Sequence, residues 1–239
     1  MRGVDGEYKK YASDEQQRLL AAVIEELKVP FLQIANQSEL NSIMGKPDDG
    51  TIQLITQHAL KLLDHYALSV RLVQEKARLE PVSLGAVLHS SAHSLSRFAE
   101  MHGCELRIEA HGHYAPVLAH KQGLEAVIES LGTAMIQSQS QMGGETSSVT
   151  LAVHRSRWGL VAGAYANMPE MNAAVLRRAK TLFGKARQPL NHILASNGAG
   201  VFVADALLSA MASHLHASRH HKLNGLAATL QPSQQMALM

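Results

Sequence analysis

A single cysteine, Cys104, in a chain of 239 residues excludes an intramolecular disulfide and fits a reducing compartment. No apolar run approaches the roughly 20 residues that span a bilayer. The polar opening, MRGVDGEYKKYASDEQQ, lacks the apolar core of a signal peptide. The net charge is only +2, too small by itself to point to nucleic acid. The basic runs Arg155-Ser156-Arg157, Arg177-Arg178-Ala179-Lys180 and Arg219–Lys222 have no interleaved aromatics and read as solvated surface. These absences describe a cytoplasmic chain with neither a membrane nor a nucleic-acid partner. Metal-site signatures are missing too: no H-E-x-x-H or C-x-x-C motif accompanies the fourteen histidines. His89 and His93 share a helical face, and His214, His216, His220 and His221 cluster near the C-terminus. Without a motif they read as solvated polar residues, and no metal is expected.

What is present is a globular composition, 46% hydrophobic, with cores enough for one large domain or two small ones. Ser13 and Gln16 form a capping box that predicts a helix from near Asp14 to about Met44, after a flexible N-terminus over 1–12. Within it Leu20, Ile24, Leu27, Phe31 and Ile34 recur at 4, 3, 4, 3, the seam of a bundle helix. Pro30 lies inside that seam, where a kink is expected. Gly45 and the turn residues Lys46–Gly50 lead to a second helix, Thr51 to about Leu79. Its stripe is Ile52, Ile55, Ala59, Leu62, Tyr66, Ser69 and Val73. Two long amphipathic helices joined by a short turn make a hairpin over 13–80. The expected solution is a homodimeric four-helix bundle, and the alternative is a hairpin folded against the rest of its own chain.

Beyond Pro81 the pattern mixes helix and strand. Helices are predicted over Leu84–Met101, Lys121–Gln139, Glu170–Phe183 and Ala199–His216. Strands are predicted around Glu105–Ala110, Val149–His154, Gly159–Tyr165 and Leu226–Gln231, with a hairpin at Arg155-Ser156-Arg157, and Pro116–Ala119 is short and apolar. The expected architecture is α+β, a second domain over 81–232 with helices on one face of a mixed sheet and a tail over 233–239.

Glu25-Glu26-Leu27-Lys28-Val29-Pro30 resembles the H-box of sensor histidine kinases, with Glu25 in place of the phosphoacceptor histidine. Pro81-Val82-Ser83-Leu84 resembles the linker into that family's ATPase domain, and Leu124–Leu131 the N-box helix. Leu182-Phe183 resembles the F-box, and Gly198-Ala199-Gly200-Val201 the glycine motif beside the phosphates. Together these residues resemble a histidine kinase core: a phosphoacceptor hairpin followed by an ATPase-type α/β sandwich. The catalytic groups are replaced. Ser130 and Ala134 stand where two asparagines serve magnesium and nucleotide, and alanine cannot ligand a metal. Gly163-Ala164-Tyr165-Ala166-Asn167 aligns with D-x-G-x-G, without its adenine-reading aspartate and with bulky Tyr165 where ligand would approach. Of the phosphate-side glycines, Gly198 and Gly200 remain. Val29 and Pro30 stand where a phosphatase would orient water.

The resemblance therefore implies a histidine-kinase-like pseudoenzyme of two-component signalling, with no cofactor and no autophosphorylation. It would dimerise and dock a response regulator receiver domain or another histidine kinase through Glu25, Lys28 and Pro30. Two alternatives remain: an ATP-independent phosphotransferase using His65, roughly a turn and a half from the level of Glu25, and a soluble small-molecule sensor using the degenerate pocket.

Overall fold

The computed structural model describes residues 2–45, 50–142, 147–171, 173–182 and 198–233. Among them are six helices: α1 (Arg2–Met44), α2 (Thr51–Glu75), α3 (Leu84–Met101), α4 (Lys121–Met142), α5 (Ala173–Leu182) and α6 (Gly198–Ala210). The seven strands are β1 (Glu80–Val82), β2 (Cys104–Glu109), β3 (Val117–Ala119), β4 (Ser147–Ser156), β5 (Gly159–Ala166), β6 (Leu215–His220) and β7 (Leu223–Leu230). Five strands form one sheet in the order β2-β4-β5-β7-β6, with β2 and β4 parallel and the other neighbours antiparallel. β1 and β3 make a separate antiparallel pair. None of the described helices is long and apolar enough to cross a membrane.

Strand alternation sets the layers. Val149, Leu151 and Val153 of β4, Leu160, Ala162 and Ala164 of β5, and Leu226, Ala228 and Leu230 of β7 point to one face. There they meet Leu88 and Leu95 of α3, Leu124, Ile128, Leu131 and Met135 of α4, and Val203 and Leu207 of α6. Each fully buried leucine or isoleucine in this layer contributes about 1.5–3 kcal/mol relative to exposure. The opposite face carries a smaller cluster of Ala152, Val161, Tyr165 and Ala227.

Helix α1 begins at Arg2 rather than near Asp14, since no proline interrupts the segment ahead of Ser13. It also runs through Pro30 as one helix. Two other ends differ because the stop carries no glycine. Helix α2 ends at Glu75, four residues early, with Lys76 at φ 55 and the Ala77 N–H bonded to the Leu72 carbonyl. Helix α6 ends at Ala210, with Ala212 at φ 55 and the Ser213 N–H bonded to the Leu208 carbonyl. Both bonds have the 6→1 pattern of a Schellman cap, which normally uses glycine at the left-handed residue. The predicted helix over Ala199–His216 therefore breaks, and 215–220 forms the edge strand β6. Pro81, the expected helix breaker, sits in β1. The β4–β5 turn is Arg157-Trp158, between paired Ser156 and Gly159.

The hairpin is folded against its own chain. α2 turns Ile55, Ala59, Leu62 and Ser69 inward as its stripe predicts, while Val73 is 51% exposed. α1 keeps only Leu27 and half-buried Ile34 of the predicted seam. Leu19, Val23 and Leu27 are buried and Pro30 with them, whereas Leu20, Ile24 and Phe31 are 41%, 50% and 59% exposed. Two apolar stripes run side by side on this helix, and its own chain covers only one.

Candidate functional site

A cavity of about 70 Å³ lies between α2, α3 and α4, with Glu26 of α1 and Gly200 of α6 also on its wall. Helical spacing puts His58, Lys61 and His65 of α2 on one side, and Glu129, Ser130 and Ala134 of α4 on the other. The His65 Nδ1 is 3.0 Å from the Ser130 hydroxyl, and its Nε2 is 3.7 Å from the Glu129 carboxylate. Lys61 donates to Glu129 at 3.2 Å and also to the Ser94 hydroxyl. Burial holds the His65 ring below the usual imidazole range, with Lys61 adding to that and Glu129 opposing it. His58 stacks on Phe98 with ring centroids 4.6 Å apart, and burial lowers it to about 4, with His102 and Lys61 acting in the same direction.

The Glu26 carboxylate accepts the backbone N–H of Ala199 at 2.7 Å. Ala199 is in the first turn of α6, where unpaired N–H groups and the helix dipole favour an anion. Burial raises this carboxyl to about 7, against the lowering effect of the Ala199 and Gly200 backbone groups. The resemblance to an ATPase puts a nucleotide phosphate at this glycine-led helix start, and in this chain a carboxylate of α1 stands there.

The predicted site residues separate into three groups. Ser130, Ala134 and Gly200 line the cavity, joined by His65, and Gly198 opens α6 beside them. Gly163 and Tyr165 do not reach it. Strand parity turns both to the opposite sheet face, where Tyr165 is fully buried with its hydroxyl 3.4 Å from that of Ser218. Tyr165 therefore cannot obstruct a ligand in the cavity, which corrects the expectation from the D-x-G-x-G alignment. Burial pushes its phenol up to about 12. Asn167 follows β5, and its carbonyl accepts from the Gln139 side chain at 3.2 Å. The F-box residue Phe183 and the turn residues Lys46–Asp49 lie outside the described residues.

In the third group, Glu25 and Lys28 form an exposed ion pair at 2.6 Å, each side chain 57% exposed. Pro30 is buried and turned toward α2, so it does not share a docking face with them. The reason is angular: Glu25 and Pro30 are five residues apart, about 140° around the helix. Sequence reasoning gave no role to Glu26, Lys61 or Glu129. Glu26 did leave a signal, because it interrupts the stripe Leu19, Val23, Leu27 and Pro30 with a carboxylate.

No known protein-family model matches this sequence, and no curated protein does. Solved structures do match in fold. The Acinetobacter baumannii histidine kinase AdeS is 14% identical, over 87% of this chain and 98% of that one, with a TM-score of 0.50. The nucleotide-free catalytic domain of histidine kinase ThkA is 8% identical over 65% of this chain and 96% of its own, with a TM-score of 0.51. Full-length ShkA in complex with AMPPNP is 17% identical over 87% of this chain and 46% of that chain, with a TM-score of 0.50. The chain has a histidine-kinase-like fold.

Proposed function

We propose that this chain is a histidine-kinase-like pseudoenzyme of two-component signalling. It dimerises and binds a response regulator receiver domain or another histidine kinase, without phosphorylating itself. The observation that carries this reading is the Glu26 carboxyl group on the Ala199 N–H, which occupies the start of α6 from within the chain. Two further features support it. Glu25 replaces the acceptor histidine, and Ala134 can hold no magnesium.

The outer stripe of α1, Leu20, Ile24 and Phe31, together with Leu60 and Leu63 of α2, is the proposed dimer face. Exposed large apolar side chains at helical spacing favour burial against a second copy. Glu25 and Lys28 lie exposed near that stripe and remain the docking pair of the proposal, with Pro30 setting the packing of α1 on α2. Glu25 then offers a fixed negative charge and no transferable group.

The relay through His65 has less support. Its ring is 15% exposed and held by Ser130 and Glu129, so a receiver could reach it only after the hairpin left α4. The test is a binding screen of the purified chain against candidate receiver domains and histidine kinases. Recovery of at least one at micromolar affinity is expected, and recovery of none would sink the proposal.

A further inference from the structure

The outer sheet face carries a second cluster of functional groups, remote from the cavity. In register, Glu109 of β2 stands beside Ala152 of β4, Ala152 beside Gly163 of β5, and Gly163 beside Ala227 of β7. This row of small or absent side chains leaves the centre of the face open. A Cβ on Gly163 would come within 2.2 Å of the Leu226 carbonyl oxygen, so the strands already pack too closely for any side chain there. A flat sheet would set β2 and β6 roughly 19 Å apart, four steps of about 4.8 Å. Yet His220 Nε2 of β6 lies 2.8 Å from a Glu109 carboxylate oxygen of β2. The sheet is coiled strongly enough to bring side chains from its two edge strands together.

His221 joins them through an uncommon backbone. Successive strand residues face opposite sides, but His221 leaves the strand at φ 50, a left-handed conformation that histidine tolerates better than most residues. That turn keeps its ring beside His220, with centroids 4.4 Å apart. Its Nε2 is 3.7 Å from the same Glu109 oxygen, and one donor atom from each of the three residues lies within 4.8 Å of the others. Tetrahedral ligands at about 2.0–2.1 Å from zinc stand about 3.3–3.4 Å from one another. The separations of 2.8 and 3.7 Å bracket that value.

We propose that Glu109, His220 and His221 form a binding site for a divalent transition-metal ion, zinc by its ligand set, with the fourth position open. Two imidazoles and a carboxylate are a zinc donor set, and three protein ligands leave one place for water or an exogenous donor. His154 is the positioning residue: its Nδ1 lies 3.3 Å from Nδ1 of His220. When Nε2 of His220 takes the metal, its Nδ1 carries the hydrogen and donates it to His154, the outer-sphere contact that fixes a ligating ring. The histidine cluster near the C-terminus holds two of these ligands, but Glu109 lies 111 residues from His220 and only the coiled sheet joins them, which corrects the expectation of no metal.

The test is calorimetry of the full chain, stripped with chelator, titrated with zinc chloride alone. Wild type is expected to bind one ion per chain. His221→Gln alters a side chain that is 76% exposed, so it threatens folding least. It should weaken zinc binding by more than about 100-fold, beyond the roughly 10–100-fold typical of losing an outer-sphere partner. Glu109→Gln should do the same, and His154→Phe should lose about 10–100-fold with stoichiometry unchanged. His89→Gln/His93→Gln, on the exposed face of α3, should change nothing. Cobalt(II) bound to wild type should give the visible absorption of a tetrahedral site, and His221→Gln should lose it. No zinc binding by wild type, or binding that survives both His221→Gln and Glu109→Gln unchanged, overturns the proposal.

Discussion

Replacing Glu26 by glutamine removes a charge while keeping an oxygen that can accept from the Ala199 N–H. Burial lifts the Glu26 carboxyl from 4.5 to about 7, so the folded chain holds a proton there that the unfolded chain releases over that interval. A folded-state pKa above the unfolded one means stability fully present below pH 4.5 and lost as pH rises through 7. At 1.36 kcal/mol per pKa unit the loss is about 3 kcal/mol. In a chain of this size that corresponds to about 6–12 °C in Tm. The Glu26→Gln variant should therefore melt close to wild type near pH 4.5 and about 6–12 °C higher at pH 8, by circular dichroism. Comparing variant with wild type at each pH cancels every other titrating group. A difference that does not grow with pH, or a variant less stable than wild type at pH 8, refutes the burial of this carboxylate against α6.

His58 titrates in the opposite sense. Its folded pKa of about 4 lies below 6.5, so its contribution is complete above pH 6.5 and lost as pH falls toward 4. His58→Leu should lose less stability than wild type between pH 6.5 and 4, by about 3 kcal/mol in urea denaturation. Gly163→Ala forces a Cβ to within 2.6 Å of the Ala227 Cα, and should cost about 3 kcal/mol or more, read as a lower urea midpoint. Ile24→Asp/Phe31→Asp, on exposed positions of α1, should convert a dimer to monomer in sedimentation velocity while leaving the circular dichroism spectrum intact.

The α+β layering and most of the elements were legible, because strand alternation and the inward stripe of α2 are written in local residue order. Helix ends at Lys76 and Ala212 were not, since both stops use left-handed residues without glycine. Strand β6 was hidden for a related reason: His216, Ala217, Ser218 and Arg219 carry little strand propensity, and pairing with β7 imposes the extended form. On α1 the two neighbouring stripes meet at Leu27 and are equally apolar, and only tertiary packing chose Leu19 and Val23 over Leu20, Ile24 and Phe31. Within the site, Ser130 and Ala134 on α4 and Gly198 and Gly200 on α6 could be placed by order and spacing. Glu26, Lys61 and Glu129 could not, because their roles arise from docking the hairpin on the helices of the second layer.

The central proposal is that the cavity takes no nucleotide, with Glu26 at the start of α6 and Ala134 on its wall. Isothermal calorimetry with ATP and magnesium on the full chain tests it most directly. The account predicts no heat of binding up to millimolar nucleotide, for wild type and for Ala134→Asn alike, because the Glu26 carboxylate still holds the start of α6. Saturable binding of magnesium-ATP by wild type in the micromolar range would contradict it.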